Sequence, residues 1–235
     1  MTEQEWSERI GKLVRQAMQS EVLNHYYSIK LTQARARIYL KQHALFVRHR
    51  RDCWAHVSAN CLEMSVKQKI LAHEYEEIIE DEYSPYGHLD LVIRQGKSIG
   101  LSPEEILNAV PLPSTRMVLY AWGWLTRERP WLEGLGALMA TERCNDGRLL
   151  ADLGGGSSLR MAKRWMDDLG LSWKQIPNSA AHSKADEKHS EMFLSCLAEF
   201  VAEGQEVKVL EAVQESLELR ELMHWGIGAA MEKVS

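Results

Sequence analysis

From Glu3 to Lys233 apolar residues recur at helical spacing, and no stretch alternates as a half-buried strand would. That pattern restricts the chain to helix-on-helix packing. Glu3 to Gln19 puts Ile10, Leu13, Val14 and Ala17 on one face. A long helix is expected from near Thr32, with Tyr39, His43, Phe46, Arg50, Trp54, Val57 and Cys61 along one stripe. A third is expected over about Val66 to Glu82, and a fourth from His88 to near Gly100. Ser102-Pro103-Glu104-Glu105 has the form of a capped start with proline in the first turn. After Pro111-Leu112-Pro113, Ser114 is a candidate cap for a helix through Leu125, and another follows Pro130 through Glu142. Gly154-Gly155-Gly156-Ser157-Ser158 is followed by no Lys-Ser/Thr and preceded by no strand, so it reads as a turn before Leu159 to Leu169. Ser179 or Asn178 is a candidate cap for the next helix, Gly204 its end, and a last helix fills Glu206 to Lys233. With 235 residues and no repeat or linker, the expectation is one all-α domain over 1–235, a bundle of about seven to nine helices.

The net charge is −5, with both signs mixed along the chain, which argues against a dedicated nucleic-acid surface. The basic cluster Arg48-His49-Arg50-Arg51 is short; it is a solvated helix face or a clamp for a substrate carboxylate. The four cysteines form no C-x-x-C pair, and reduced thiols in a cytosol fit them best. Cys144 and Cys196 read as small packing residues. The first residues are amphipathic and carry acids, unlike a signal peptide, and no apolar run is long enough to span a bilayer.

The chemistry concentrates in His182-x-x-x-Asp186-x-x-His189. On a helix these offsets share one face, and that face continues apolar through Phe193, Cys196, Leu197 and Phe200. Burying unpaired ionisable groups costs several kcal/mol, so an inward face of this kind asks for a metal. The plainer alternative is the solvated start of an amphipathic helix. Glu142 extends the stripe Trp131, Leu135, Leu138, and a buried glutamate also needs a partner. Leu71, Tyr75, Ile78 and Glu82 share another stripe, so that register turns Glu82 inward and leaves Glu80 and Asp81 nearer solvent. His88 follows at a helix start. Glu82, His88, Glu142, His182, Asp186 and His189 together exceed what one structural zinc takes and suit two irons held by carboxylates and imidazoles.

With those residues assembled, the chain resembles the haem-oxygenase-like di-iron oxidase/oxygenase superfamily, which also contains the cofactor-free pyrroloquinoline quinone synthase and thiaminase II. The resemblance rests on an acidic residue and a histidine around a helix break, then a glutamate, then H-x-x-x-D-x-x-H. It extends to NHYYSIKLTQARARIYLKQH and GHLDLVIRQGKSIGLSPEEI, and spans about Glu21 to Val201. Its spacing admits Asp81 as well as Glu82 for the first carboxylate. It implies a single-domain helical bundle, in many members a homodimer, that binds two irons and uses O2 but no haem. The implied metal ligands are Glu82 (or Asp81), His88, Glu142, His182, Asp186 and His189, with no catalytic residue beyond them. Arg143 to Gly156 holds no lysine, which separates the chain from members making 4-aminobenzoate.

The function expected from this resemblance is an O2-dependent, non-haem di-iron oxidase or oxygenase in the cytoplasm, working in natural-product biosynthesis. Its substrate would be a small amino or carboxylic acid, and its reaction N-oxygenation, desaturation or oxidative C–C cleavage. An external electron donor is compatible with it; a nucleic acid or membrane partner is not expected. Arg48, Arg50 or Arg51 would pair with the substrate carboxylate by charge alone. His43 and Tyr39 would sit in the core or line the pocket. The alternatives are a cofactor-free oxidase of the quinone-synthase type and a non-catalytic helical regulator.

Overall fold

The computed structural model describes residues 1–182 and 191–235. Among them there is no strand, only an isolated antiparallel bridge between Asp81 and Ser84. The elements are α1 (Glu3–Met18), α2 (Glu21–Ser28), α3 (Gln33–Asn60), α4 (Met64–Ile78), α5 (His88–Lys97) and α6 (Pro103–Leu107). They continue with α7 (Pro113–Glu128), α8 (Trp131–Arg143), α9 (Ser157–Leu169), α10 (177–182), α11 (Leu194–Phe200) and α12 (Glu206–Glu232). This all-α arrangement is the expected class, with more helices than the seven to nine anticipated. Part of the excess is α2, a short helix started by the Ser20 hydroxyl accepting from Leu23 N at 3.2 Å.

Local signals explain most boundaries. Thr2 and Ser102 each form a capping box, with Glu5 and Glu105 reaching back to the cap backbone. Thr32 caps α3 through Arg35 N at 3.3 Å. Two expected caps differ. Leu112 precedes α7 with no side-chain cap, because Pro113 at the first position needs no donor satisfied. Asn178 and Ser179 lie inside α10; the Asn178 side chain meets His43, and Ser179 donates to Gln95 Oε1 from both its backbone N–H and its hydroxyl.

The two longest helices, α3 and α12, form the axis of the bundle. α12 packs most extensively on α8, then on α7, and α3 also packs on α7 and α8. Trp6, Trp54, Trp122 and Trp165 are fully buried in the main core, each burial contributing roughly 1.5–3 kcal/mol. The Trp122 indole N–H donates to Ser216 Oγ at 3.0 Å, and that hydroxyl donates to Ala137 O at 2.7 Å. Three helices, α7, α12 and α8, are thereby fixed in register by polar atoms that burial would otherwise leave unsatisfied. No described helix is long and apolar enough to cross a membrane.

The largest departure from expectation is α4. It ends at Ile78 rather than Glu82. Asp81 Oδ1 accepts from Tyr83 N at 2.7 Å and Ser84 N at 2.6 Å, a side-chain-built turn that competes with further helix. The register is also rotated. Leu71, Tyr75 and Ile78 are 66, 53 and 52% exposed, while Val66, Ile70, His73 and Glu77 are buried. Periodicity selected the wrong face because the buried face carries two ionisable residues: Glu77 is paired with Arg51 and His88 from other helices, and His73 contacts its neighbour Glu74 and packs on Trp54 of α3.

Candidate metal centre

Seven of the described helices line one cavity, α2 through Tyr27 and α9 through Ser157 and Met161 among them. α3 brings His43, Arg50 and Arg51; α4 brings Glu77; α8 brings Glu142; α10 brings His182; and α12 brings Arg220 and His224. About 60 Å³ of enclosed space lies among them, room for a few waters or a small polar group, and it opens toward solvent. His88 reaches the same region from the first position of α5 and is wholly buried. Its placement depends on Gly87, where a Cβ would stand 2.0 Å from Ile78 O. Only glycine lets the start of α5 press this closely on the end of α4.

His88 is held between two carboxylates. Its Nδ1 lies 2.8 Å from Glu77 Oε2 and its Nε2 3.5 Å from Asp81 Oδ2. The His182 ring stands edge-on to it, with centroids 4.1 Å apart. Arg51 Nη1 contacts Glu74 Oε1 at 2.8 Å and Glu77 Oε2 at 3.1 Å. Across the cavity, Arg50 Nη2 donates to Glu142 Oε1 at 2.8 Å and to Leu138 O at 3.0 Å. His73 completes the cluster, its Nδ1 3.1 Å from Glu74 Oε1 and its ring 4.6 Å from Trp54.

Burial pushes the Glu77 carboxyl up, but His88, Arg51 and His73 outweigh it and hold the group well below the usual carboxylate range. Glu142 has the same balance: burial and the charge of Glu77 raise it, Arg50 and His73 lower it, and the net direction is down. Asp81 is also lowered; burial opposes this, while His88 and the backbone N–H groups of its turn favour the anion. His43 is pushed down to about 3 by burial, with His182, Arg220 and His88 adding to the effect. Its Nε2 lies 3.3 Å from Asn178 Nδ2.

The donor chemistry fits iron. Glu74, Glu77, Asp81 and Glu142 face two guanidiniums, Arg50 and Arg51, so the anions exceed the fixed cations. Hard carboxylate oxygens beside imidazole nitrogens are the ligands that iron and manganese prefer. Among the described residues, no three of these side chains are yet drawn into a group that could close on one ion.

A family model described as iron-containing redox enzyme matches residues 37–221, most of the chain. The chain belongs to this family. None of the curated proteins matches it in sequence. Its fold is that of several solved structures. A domain of unknown function with a haem-oxygenase-like fold from Shewanella denitrificans OS217 is 20% identical, with a TM-score of 0.73 over 99% of this chain and 93% of that one. A CADD-like protein of unknown function from Nostoc punctiforme PCC 73102 is 13% identical, with a TM-score of 0.77 and 97% of each chain covered. A TenA homologue from P. horikoshii OT3 is 10% identical, with a TM-score of 0.67 over 97% of this chain and 98% of that one. At these identities the likeness establishes the haem-oxygenase-like fold and nothing finer.

Within this family member, the residues singled out from sequence fall into three groups. His88 and His182 are in ring contact, Glu142 and His182 line one cavity, and Glu142 and His88 are buried. Asp186 and His189 lie outside the described residues. Glu82 is exposed, because α4 has already ended and the turn carries it outward. In its place stand Glu77, which sequence reasoning passed over, and Asp81, named there as the alternative. A signal for Glu77 existed: it lies four residues after His73, and both fall on the stripe of Val66 and Ile70. The expected carboxylate clamp is also corrected. Arg50 and Arg51 are engaged by the protein's own carboxylates, and Arg48 donates to Leu107 O at 2.9 Å. Tyr39 and His43 line the cavity, stacked with centroids 5.4 Å apart.

Proposed function

We propose that this family member is a non-haem oxidase or oxygenase that uses O2 on a small amino or carboxylic acid. Two irons would be held by Glu77 or Asp81, His88, Glu142 and His182, with Asp186 and His189 completing the set. The observation that carries the reading is the pairing of two buried, ionised carboxylates, Glu77 and Glu142, with His88 and His182 about a single cavity. Bound iron would supply O2 activation and the redox equivalents.

The chain's own residues then have defined tasks. The 2.8 Å ion-pair contact between His88 Nδ1 and Glu77 Oε2 orients the imidazole ring, as second contacts to ligating histidines commonly do. Arg50 and Arg51 keep the carboxylates anionic and oriented while no metal is bound. Phe46, Val47, Met161 and Met223 give the cavity an apolar wall that limits water around the substrate.

A metal-free acid–base enzyme of the same fold is the second reading. The Arg50–Glu142 ion pair favours it, since it engages one carboxylate with an internal cation. Anaerobic loading with ferrous iron, followed by O2 exposure and Mössbauer spectroscopy, separates the two. The di-iron reading expects about two irons per chain and a coupled diferric signal, both lost in His182→Ala. Absence of tight iron binding, with candidate acids present, would transfer the assignment to the metal-free enzyme.

A further inference from the structure

The cavity has a second end whose charge is not accounted for. Arg220, on α12, is 7% exposed and lines the cavity. Its Nη2 donates to Ser157 Oγ at 2.6 Å, and that hydroxyl donates to Cys144 O at 3.1 Å. Its Nε has no hydrogen-bond partner, and no carboxylate pairs with it, among the described residues. The groups around it carry no negative charge near neutral pH. Burial pushes the phenols of Tyr26 and Tyr39 and the thiol of Cys144 upward, keeping all three protonated. His224 is held down to about 3 by burial and by Arg220 itself, and its Nδ1–H donates to the Arg220 carbonyl at 2.8 Å. Arg164 adds a further buried guanidinium, donating to the Ile29 carbonyl and lying 5.1 Å from the centroid of the Tyr26 ring.

A buried guanidinium without a counter-ion is unfavourable unless an anion is delivered to it. Its planar fork matches a carboxylate, bonding it through two parallel N–H donors. His43 lines the same cavity as His182 and Arg220, and its Nε2 lies 3.3 Å from Asn178 Nδ2 on the helix that carries His182. Phe46, Val47, Met161 and Met223 supply the apolar wall.

We infer that Arg220 binds the carboxylate of a monocarboxylic acid whose apolar body lies along this wall and whose far end reaches Glu77, Glu142 and His182. Arg220 is thus the specificity residue of the cavity, and the oxidised position is remote from the carboxylate. The inference rests on the cavity being the active site, as proposed above.

The test is calorimetric titration of the full-length protein with 4-phenylbutyrate and octanoate, each against its neutral amide. It is run in parallel with chelator and with anaerobic ferrous iron. Each acid is expected to bind at least about tenfold tighter than its amide in both arms, a difference typical of one charge-assisted contact. Arg220→Gln should erase that preference and Arg220→Lys retain part of it, with circular dichroism verifying the fold. The wild-type acid-to-amide ratio needs no variant, so a poorly folding substitution leaves the test intact. Equal affinity, no binding of any acid, or a preference that survives Arg220→Gln would overturn the assignment. A preference seen only with iron would place the carboxylate on the metal and overturn it as well. Because the chelator arm contains no iron, a failed di-iron proposal and a failed Arg220 assignment give different results.

Discussion

The two ends of the cavity are entered in the same way and finished differently. α5 and α9 both begin at a glycine, and a Cβ on either would stand 2.0 Å from a backbone carbonyl, Ile78 O for Gly87 and Asn145 O for Gly156. The residue after each glycine is the one that meets the site: His88 at the acid end, Ser157 at the arginine end. Beyond that the halves part. At the acid end every carboxylate has an internal cation or imidazole against it. At the arginine end Arg220 has one hydroxyl and no anion among the described residues. If the proposed function holds, the first half takes up cations beyond its own and the second receives an anion.

The largest effect should come from breaking the compensated half. Arg50→Met leaves Glu142 buried without its guanidinium and is expected to cost about 3–5 kcal/mol in urea unfolding. Arg50→Met/Glu142→Gln should recover more than half of that loss, since no uncompensated charge remains. The same substitution at the other end, Arg220→Met, is expected to be neutral or stabilising in the metal-free protein, because it removes a buried charge that has a hydroxyl but no carboxylate beside it among the described residues. An equal loss from both would show that Arg220 is as well compensated as Arg50, and would erase the contrast.

The glycine entries come next in size. Gly87→Ala and Gly156→Ala each force backbone to move at a helix start and are expected to cost about 1–3 kcal/mol. Their functional signatures should differ. Gly87→Ala displaces His88 and should lower iron content, whereas Gly156→Ala displaces Ser157 and should weaken carboxylate binding with iron content retained. Metal analysis and acid titration on both variants check this.

A smaller effect separates Glu77 from ordinary carboxylates. Its folded form binds protons less readily than its unfolded form, whose value is near 4.3. The stability it contributes is therefore complete above that value and is lost as pH falls through the depressed folded value. Urea unfolding between about pH 5 and 2 should lose stability less steeply in Glu77→Gln than in the wild type. An unchanged slope would mean that Glu77 is not held by His88 and Arg51.

How far the sequence disclosed all this depends on what satisfies each polar group. Glu142 was legible because it prolongs an apolar stripe, and His182 because its motif is compact. The caps at Thr2 and Ser102 and the glycine turn before α9 are local devices and were equally legible. Glu77 was not, since the partners that let it be buried, Arg51 and His88, come from α3 and α5. Arg220 was missed for the opposite reason. Its meaning lies in having no carboxylate beside it among the described residues, which only the assembled core reveals.

Glu82 offers the smallest effect and the sharpest contrast with Glu77. It is exposed on the turn after α4, so Glu82→Gln should change stability by no more than about 0.5 kcal/mol. Iron content should likewise stay at the wild-type level in Glu82→Gln, and fall in Glu77→Gln, where loss of a ligand or of its supporting contact typically costs about 10–100-fold in affinity. Asp81→Asn tests the neighbouring carboxylate and should act through His88, weakening iron binding less than Glu77→Gln does, because its contact is the longer one at 3.5 Å against 2.8 Å. The reverse order, with Glu82→Gln losing iron and Glu77→Gln keeping it, would return the ligand to the face that the apolar stripe favours. The buried Glu77 would then be a purely structural partner of Arg51.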